Sequence, residues 1–227
     1  LVSVIVMGVF NLEKRKQGGE FVEYQSQGWL RECAVWDADN RRFLVSFLEG
    51  GLGEIVETGK EETLVKDPDY AGNASLGFRI DPPRNRIVVA VVDAHGYKYS
   101  ALAAYDMATW QRLFLTQLGD AVIPSLANDV AVDVDGNAYV TDSVGNRIWK
   151  VGPGGAPLAV FSSPVFSSVP PKVPFTTVGL NGIVYHPGGY LLVVHTWAGV
   201  LFKVSLDGVH VSRVDMRSAS LRLRTCT

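Results

Sequence analysis

Charge is scarce in this chain and nearly balanced. Asp, Glu, Lys and Arg together make up 19% of 227 residues, and the formal net charge is −2. No basic stripe offers an electrostatic footprint for nucleic acid. Cysteine is scarcer still: Cys33 and Cys226 stand at opposite ends with no CxxC spacing, so neither a zinc site nor a disulfide framework is indicated. There is no GxSxG, no GxxxxGK[ST] and no HExxH, which removes the serine-hydrolase elbow, the P-loop and the zincin helix. Long apolar runs are also missing. Leu1–Phe10 is apolar but stops at Asn11 and the basic Lys14-Arg15-Lys16, about half the twenty residues a membrane helix needs.

What is present is a rhythm. In the stretch from Asn128 to Val151, Val130, Val132 and Val134 alternate with small or polar residues, the period of a half-buried strand. Asp135-Gly136 and Gly145-Asn146 supply turn dipeptides, with Ala138–Thr141 between them and Arg147–Val151 after them. The same strand, turn and apolar strand recur at Asp37–Ser46, Asp81–Ala90 and Tyr185–Val194. Aligning the last residue of each first strand equates Trp36, Ile80, Val132 and Tyr185, at steps of 44, 52 and 53 residues. Each unit closes with a further apolar run: Gly53–Val56, Ala101–Tyr105, Ile148–Val151 and Val200–Val204. Units of four strands at this spacing predict an all-β fold, a β-propeller of the six-bladed type. A six-blade ring of such units needs roughly 300 residues, and this chain holds about four.

The predicted organisation is an apolar and basic segment over 1–20, propeller blades within 21–215, and an irregular tail over 216–227 carrying Arg217, Arg222 and Arg224. The blades fall at about 31–58, 76–116, 128–160 and 181–208. A charged connection, Lys60–Ala71, follows the first of them, and Ser162–Thr177, with four prolines, is a turn-rich excursion before the last. Leu1–Phe10 reads either as the remaining half of a signal or anchor or as an ordinary strand. With the Asn73-Ala74-Ser75 sequon it favours a secretory or endomembrane setting, although a single sequon also arises by chance.

Four residues before the aligned positions lie Glu32, Leu76, Asn128 and Asn181. Three of four blades therefore place a side-chain oxygen at the start of the strand that lines a propeller's channel. Carboxylate and amide oxygens converging there suit a hard cation such as calcium. The plainer alternative is that Asn favours strand starts and turns. Among the histidines, His186 before a proline and His195 at a strand end read as structural. His95, on the long loop Asp93–Tyr99, is the weak candidate for acid–base chemistry.

Glu32–Asp37, Ser100–Asp106, Asn128–Asp133 and Gly179–Pro187 carry a family likeness. Over about Phe21 to Asp207 the chain resembles the senescence marker protein/gluconolactonase family and its plant relatives, the calcium-dependent phosphotriesterase-like and strictosidine-synthase-like proteins. Blade three also resembles an NHL repeat, a non-catalytic interaction module. The family resemblance implies a divalent-cation hydrolase acting on a lactone or ester. It makes Glu32 and Asn181 metal ligands and Asn128 the asparagine that faces substrate or metal. The NHL likeness implies instead a propeller that binds a partner through its loops. The family's remaining ligand, an aspartate opening the next blade, would lie beyond Thr227, and Cys33 replaces the small residue usual after the glutamate. A short ring is accordingly expected to bind calcium weakly, to be impaired as a hydrolase, and to self-associate through open blade faces. Leu201, Val204 and Val209 on the late side, and Val35, Phe43 and Val45 on the early side, are the residues expected to be uncovered.

Overall fold

A strand of period two presents one row of side chains to each face, and it is stable only when at least one row is covered. The computed structural model describes residues 24, 26, 28, 30–56, 58–119, 122–167 and 178–215, and within them covers those rows by stacking sheet on sheet. The first sheet is β1 (Arg31–Asp37), β2 (Arg42–Phe47), β3 (Leu52–Val56) and β4 (Glu61–Val65). The second is β5 (Ala74–Asp81), β6 (Arg86–Val92), β7 (Ser100–Asp106) and β8 (Arg112–Gln117). The third is β9 (Ala127–Val132), β10 (Ala138–Asp142), β11 (Arg147–Val151) and β12 (Pro157–Ser162). The fourth is β13 (Leu180–His186), β14 (Tyr190–His195), β15 (Val200–Ser205) and β16 (Val211–Arg213). Each is an antiparallel meander with its strands in sequence order, and these are the blades of a β-propeller. A single helical turn, α1 (Pro164–Ser167), follows β12.

The hairpins between first and second strands turn on a left-handed residue in every blade: Arg41, Asn85, Gly136 and Gly189, with φ of +50°, +46°, +84° and +80°. Asp135-Gly136 and Gly188-Gly189 thus turn where the sequence signals it. Just before this turn an acid closes the hairpin in the first three blades. Asp37 accepts from Arg42 Nε at 2.9 Å, Asp81 from Arg86 Nε at 2.8 Å, and Asp133 from Asn137 Nδ2 at 2.9 Å.

Three interfaces hold the blades together. Between blades one and two lie Leu44, Leu52, Phe78, Ile87, Val89 and Tyr105. The other face of β6 gives Val88 and Ala90 to the second interface, with Leu102, Val130 and Val140. Tyr139, Ile148 and Phe161 meet Leu191, Val193 and Phe202 in the third. The inner strands β1, β5, β9 and β13 pack on one another in that order, so they line the inside of the arc.

Several expectations need adjusting. The outermost strand of blade one, β4, lies inside the segment read as a charged connection: Glu62 and Thr63 face solvent and Glu61 pairs with Arg31, so the strand starts with no apolar period. Blade four likewise continues past Gly208 into β16. Cys33 is disulfide-bonded, its partner lying outside the described residues, because bridging depends on distance in space and not on spacing in sequence. Of the six residues expected to be uncovered, Val45 and Val204 are buried. Val204 shares its row with Val200 and Phe202 against blade three, and the outward row is Leu201 and Lys203. Val45 clusters with Phe47 and Ile55, where the Arg31 guanidinium lies 4.0 Å over the Phe47 ring. Phe43 and Val209 are exposed, and Val35 and Leu201 half-buried. In the sequon, Ser75 is fully buried and accepts the Gly51 N–H at 2.9 Å, while Asn73 Nδ2 donates to the Tyr70 carbonyl at 3.3 Å. The readings of Leu1–Phe10, Lys14–Lys16 and 216–227 lie outside the described residues, as does most of the proline-rich excursion. Among the described residues no helix is long and apolar enough to cross a membrane.

Candidate functional site at the inner strands

Every inner strand breaks its pairing at the same level. In blade one the register runs from Arg31 opposite Phe47 to Ala34 opposite Val45, so Glu32 and Cys33 together face Ser46. The break recurs with Leu76 and Gly77 facing Ala90, Asn128 and Asp129 facing Thr141, and Asn181 and Gly182 facing Val194. These are β-bulges, two residues set against one, which twist the strand and re-aim its side chains. The three candidates Glu32, Asn128 and Asn181, and the aligned Leu76, are therefore each the first residue of a bulge.

The second residue of each bulge is Cys33, Gly77, Asp129 or Gly182, and the acid among them ties the blades together. Asp129 Oδ1 accepts the Val130 N–H at 2.8 Å, and Oδ2 accepts the Ile183 N–H of the next blade at 3.0 Å. Opposite the bulge, Thr141 Oγ1 accepts the Asp129 N–H at 3.1 Å and donates to the Asn181 carbonyl at 2.6 Å. In blade one a hydroxyl sits at the same place, and Ser46 Oγ accepts the Cys33 N–H at 3.1 Å. Gly77 leaves the room for this: a Cβ there would lie 2.4 Å from Asp129 Oδ1 and 2.8 Å from the Asn128 carbonyl oxygen.

Electrostatically the site is a pair of buried acids, of which Asp129 has donors and Glu32 Oε2 has none. Glu32 Oε2 is buried with no hydrogen-bond partner. Burial, and then the negative charge of Asp129, push its carboxyl up to about 7. Burial likewise raises Asp129 to about 6, against the opposing pull of the Ile183 and Val130 N–H groups and of Arg79. A buried carboxylate without a countercharge either takes a proton or a cation. Among the described residues no group of three or more His, Cys, Asp or Glu is placed to hold a metal ion. Carboxylate oxygens such as those of Glu32 and Asp129 are the donor type that a hard cation takes. Blade two adds no oxygen, because Leu76 is packed with Ala74, Val92 and Leu126.

The loops that follow the second strands surround this level, since those strands end where the inner ones begin. Leu48 N bonds to Leu30 O, Ser143 N to Leu126 O and Thr196 N to Gly179 O. His95 lies on such a loop, exposed, in a turn whose Asp93 carboxylate accepts the His95 and Gly96 N–H groups at 3.1 and 3.0 Å. His195 is buried and held below its usual pKa by that burial, its Nδ1 accepting the Ala198 N–H at 3.3 Å. His186 stacks on Tyr190 at the opposite end of the blade.

No protein-family model matches the chain, and no curated protein matches it in sequence. Solved structures do match. A catalytically inactive virginiamycin B lyase from Staphylococcus aureus, solved with quinupristin, superposes with a TM-score of 0.60 at 17% identity, over 90% of this chain and 61% of that one. The fold is that of six-bladed propellers. A luciferin-regenerating enzyme matches with a TM-score of 0.60 at 13% identity, over 84% of this chain and 64% of the other. A protein of unknown function from Bacteroides caccae gives 0.60 at 18%, over 84% and 62%. The chain thus spans about three fifths of the propellers it matches, in keeping with four blades.

Asp129 and Thr141 are the residues that sequence reasoning missed. A visible signal existed: an acid flanked by Ala127, Val130 and Ala131 inside a strand is a buried charge that needs partners. Its partner across the blade boundary, Ile183, is not visible in any local pattern.

Proposed function

We propose that the inner-strand bulges form the cation site of a lactone- or ester-hydrolysing propeller, with Glu32 and Asn181 as ligands of calcium or a similar divalent ion and Asn128 facing the substrate. The observation that carries this is the buried, partnerless Oε2 of Glu32 beside a second acid. Such a group is costly unless a positive charge meets it. The bound ion supplies Lewis acidity that polarises an ester or lactone carbonyl. Around it, the Glu32 carboxylate provides the negative charge that retains the ion. The Asn128 amide, presented by its bulge, orients the substrate oxygen by donating an N–H. Asp129, with both oxygens occupied by backbone N–H groups, stays out of the chemistry. His95 is kept as a solvent-side acid–base candidate on the surrounding loop.

The test is calcium titration of the purified chain, read by thermal unfolding and by bound-metal stoichiometry. A ligand that binds only the folded state raises the melting temperature, by an amount that grows with the logarithm of its concentration over Kd. The expected result is one ion per chain and a melting temperature that climbs with calcium, both lost in Glu32→Gln. No bound ion and no shift at millimolar calcium would overturn the reading. A lactone and ester panel, run with and without calcium, tests the hydrolytic half.

A further inference from the structure

We infer that Asp129 is the positioning residue of this site, a clamp across the boundary between blades three and four that fixes the spacing of the Asn128 and Asn181 bulges. The inference rests on the cation reading above for its purpose, and on separate geometry for its mechanism. Oxygen ligands of a calcium-like ion must stand about 2.3–2.6 Å from it, so bulges on different sheets need a common reference. Most of the sheet-to-sheet contact here is made by apolar side chains, which are non-directional. Polar bonds cross the boundary at other levels too, from Ser143 Oγ to the Leu180 carbonyl, from Leu180 N to Asn146 Oδ1 and from Lys150 Nζ to the Leu206 carbonyl. At the level of the bulges the bonds belong to Asp129 and Thr141. Asp129 Oδ2 takes the Ile183 N–H, two residues after Asn181, while Oδ1 takes the N–H of Val130, two residues after Asn128. Thr141 closes the loop by bonding the Asp129 N–H and the Asn181 carbonyl through one hydroxyl. One carboxylate and one hydroxyl therefore join both bulges at the residues that flank the candidate ligands.

Gly77 shows that the placement is tight from a third side. A methyl group there would meet Asp129 Oδ1, the Asp129 Cα at 2.7 Å and the Asn128 carbonyl oxygen, so blade two braces the clamp by having no side chain. On the blade-four side there is more room: a Cβ at Gly182 would sit 3.9 Å from Oδ2, an ordinary van der Waals contact. The clamp also explains why an acid is needed when an amide would be cheaper to bury. Two N–H groups approach from two directions, and a carboxylate accepts both, whereas an asparagine accepts with its oxygen and opposes the other donor with its NH2.

Asp129→Asn, Thr141→Val and Thr141→Ser, compared with the wild-type chain, test this. Amide hydrogen exchange at Ile183 and Val130 reads the clamp without any metal, and titration with calcium alone reads its consequence. Asp129→Asn is expected to melt cooperatively, to exchange Ile183 N–H at least about tenfold faster, and to bind calcium about tenfold or more weakly, the range typical of lost supporting contacts. Thr141→Val should weaken calcium binding in the same direction, and Thr141→Ser, which keeps the hydroxyl, should restore it. Unchanged Ile183 exchange in Asp129→Asn overturns the clamp. A lowered melting temperature with calcium affinity unchanged, measured well below the transition, overturns the positioning role and leaves a structural one. If the wild-type chain binds no calcium the cation reading fails, and the exchange comparison still decides whether the clamp exists. Should Asp129→Asn not fold, Gly77→Ala, which crowds the carboxylate while preserving it, takes its place. Ile183 exchange and calcium affinity then decide between the same outcomes.

Discussion

Blade two and blade four are built from nearly the same material and end up in different surroundings. The second strand of blade two, β6, reads Arg-Ile-Val-Val-Ala-Val-Val and is buried at every position. Its counterpart β14 reads Tyr-Leu-Leu-Val-Val-His, yet Tyr190, Leu192 and Val194 are only half-buried while Leu191, Val193 and His195 are buried. The difference is the neighbour. Blade two lies between two sheets and gives a row of side chains to each, whereas among the described residues blade four packs on blade three alone. An uninterrupted apolar run therefore records a strand suited to two covered faces, whether or not both are covered.

Ion pairs should show the contrast most strongly. Arg86 and Asp81 are buried together, and the same guanidinium donates to the carbonyls of Gly136 and Pro153 in blade three. Arg86→Met strands the Asp81 charge in the interior and should cost about 3–5 kcal/mol. Arg42→Met, in the equivalent pair of blade one, removes a partner that is nearer solvent and should cost less than half as much. Equal losses in urea titrations would mean that the interior position adds nothing. Next come the apolar positions. Leu102→Ala, between blades two and three, should lose about 2–5 kcal/mol, the range for a fully buried leucine, and Leu192→Ala about 1 kcal/mol. A similar unfolding midpoint for both would show that the open face of blade four is covered in solution.

The acids of the site give a smaller, pH-shaped effect. Glu32 and Asp129 hold protons more tightly folded, at about 7 and about 6, than their ordinary values near 4.5 and 3.8 allow in the unfolded chain. Between roughly pH 4 and 7 the folded state binds the excess protons, so stability falls as pH rises through that window and levels off above it. Glu32→Gln should flatten the upper part of that fall, a change of order 1–3 kcal/mol between pH 4.5 and 7 at about 1.4 kcal/mol per unit. Calcium should act in the opposite sense, stabilising more at pH 8 than at pH 5. A wild-type melting temperature that rises from pH 5 to 7 without metal would contradict the placement of both acids.

Smallest is association. We propose that copies of the chain meet through the outward row of blade four, where Val184 is 41% exposed and Leu201 half-buried, or through the exposed Trp36–Phe43 pair of blade one, rings 4.8 Å apart. Val184→Lys with Leu201→Lys should lower the sedimentation coefficient at high concentration with little effect on melting. A wild-type chain that sediments as a monomer at every concentration would remove the idea.

Repeats of period two punctuated by turn residues made the four blades legible, because hairpins carry their own signal, as in Asp135-Gly136 and Gly188-Gly189. β4 escaped because an outer strand such as Glu61–Val65 covers little and keeps no apolar row. Grouping Val204 with Leu201 as uncovered runs against the pleat, which puts 201 and 204 on opposite faces, and a single strand does not show which row faces blade three. The level of Glu32, Asn128 and Asn181 could be aligned by counting. That this level is a bulge could not, since register belongs to a pair of strands and not to one. Asp129 matters through Gly77 and Ile183, 52 and 54 residues away, and no single window contains them.

The bulges have a consequence for how such a chain can change by descent. A residue in regular pleat cannot be exchanged freely, because its row is shared with a hydrophobic interface. The first residue of each bulge stands outside that row, so four copies of one unit carry Glu32, Leu76, Asn128 and Asn181 at the same place without disturbing the strands on either side. Duplication can then multiply a blade with its architecture intact, and point substitution can alter the inner rim one spoke at a time. Leu76 is such a spoke, an apolar residue packed on Ala74, Val92 and Leu126 where the other blades carry oxygens, in a blade whose strands remain in order.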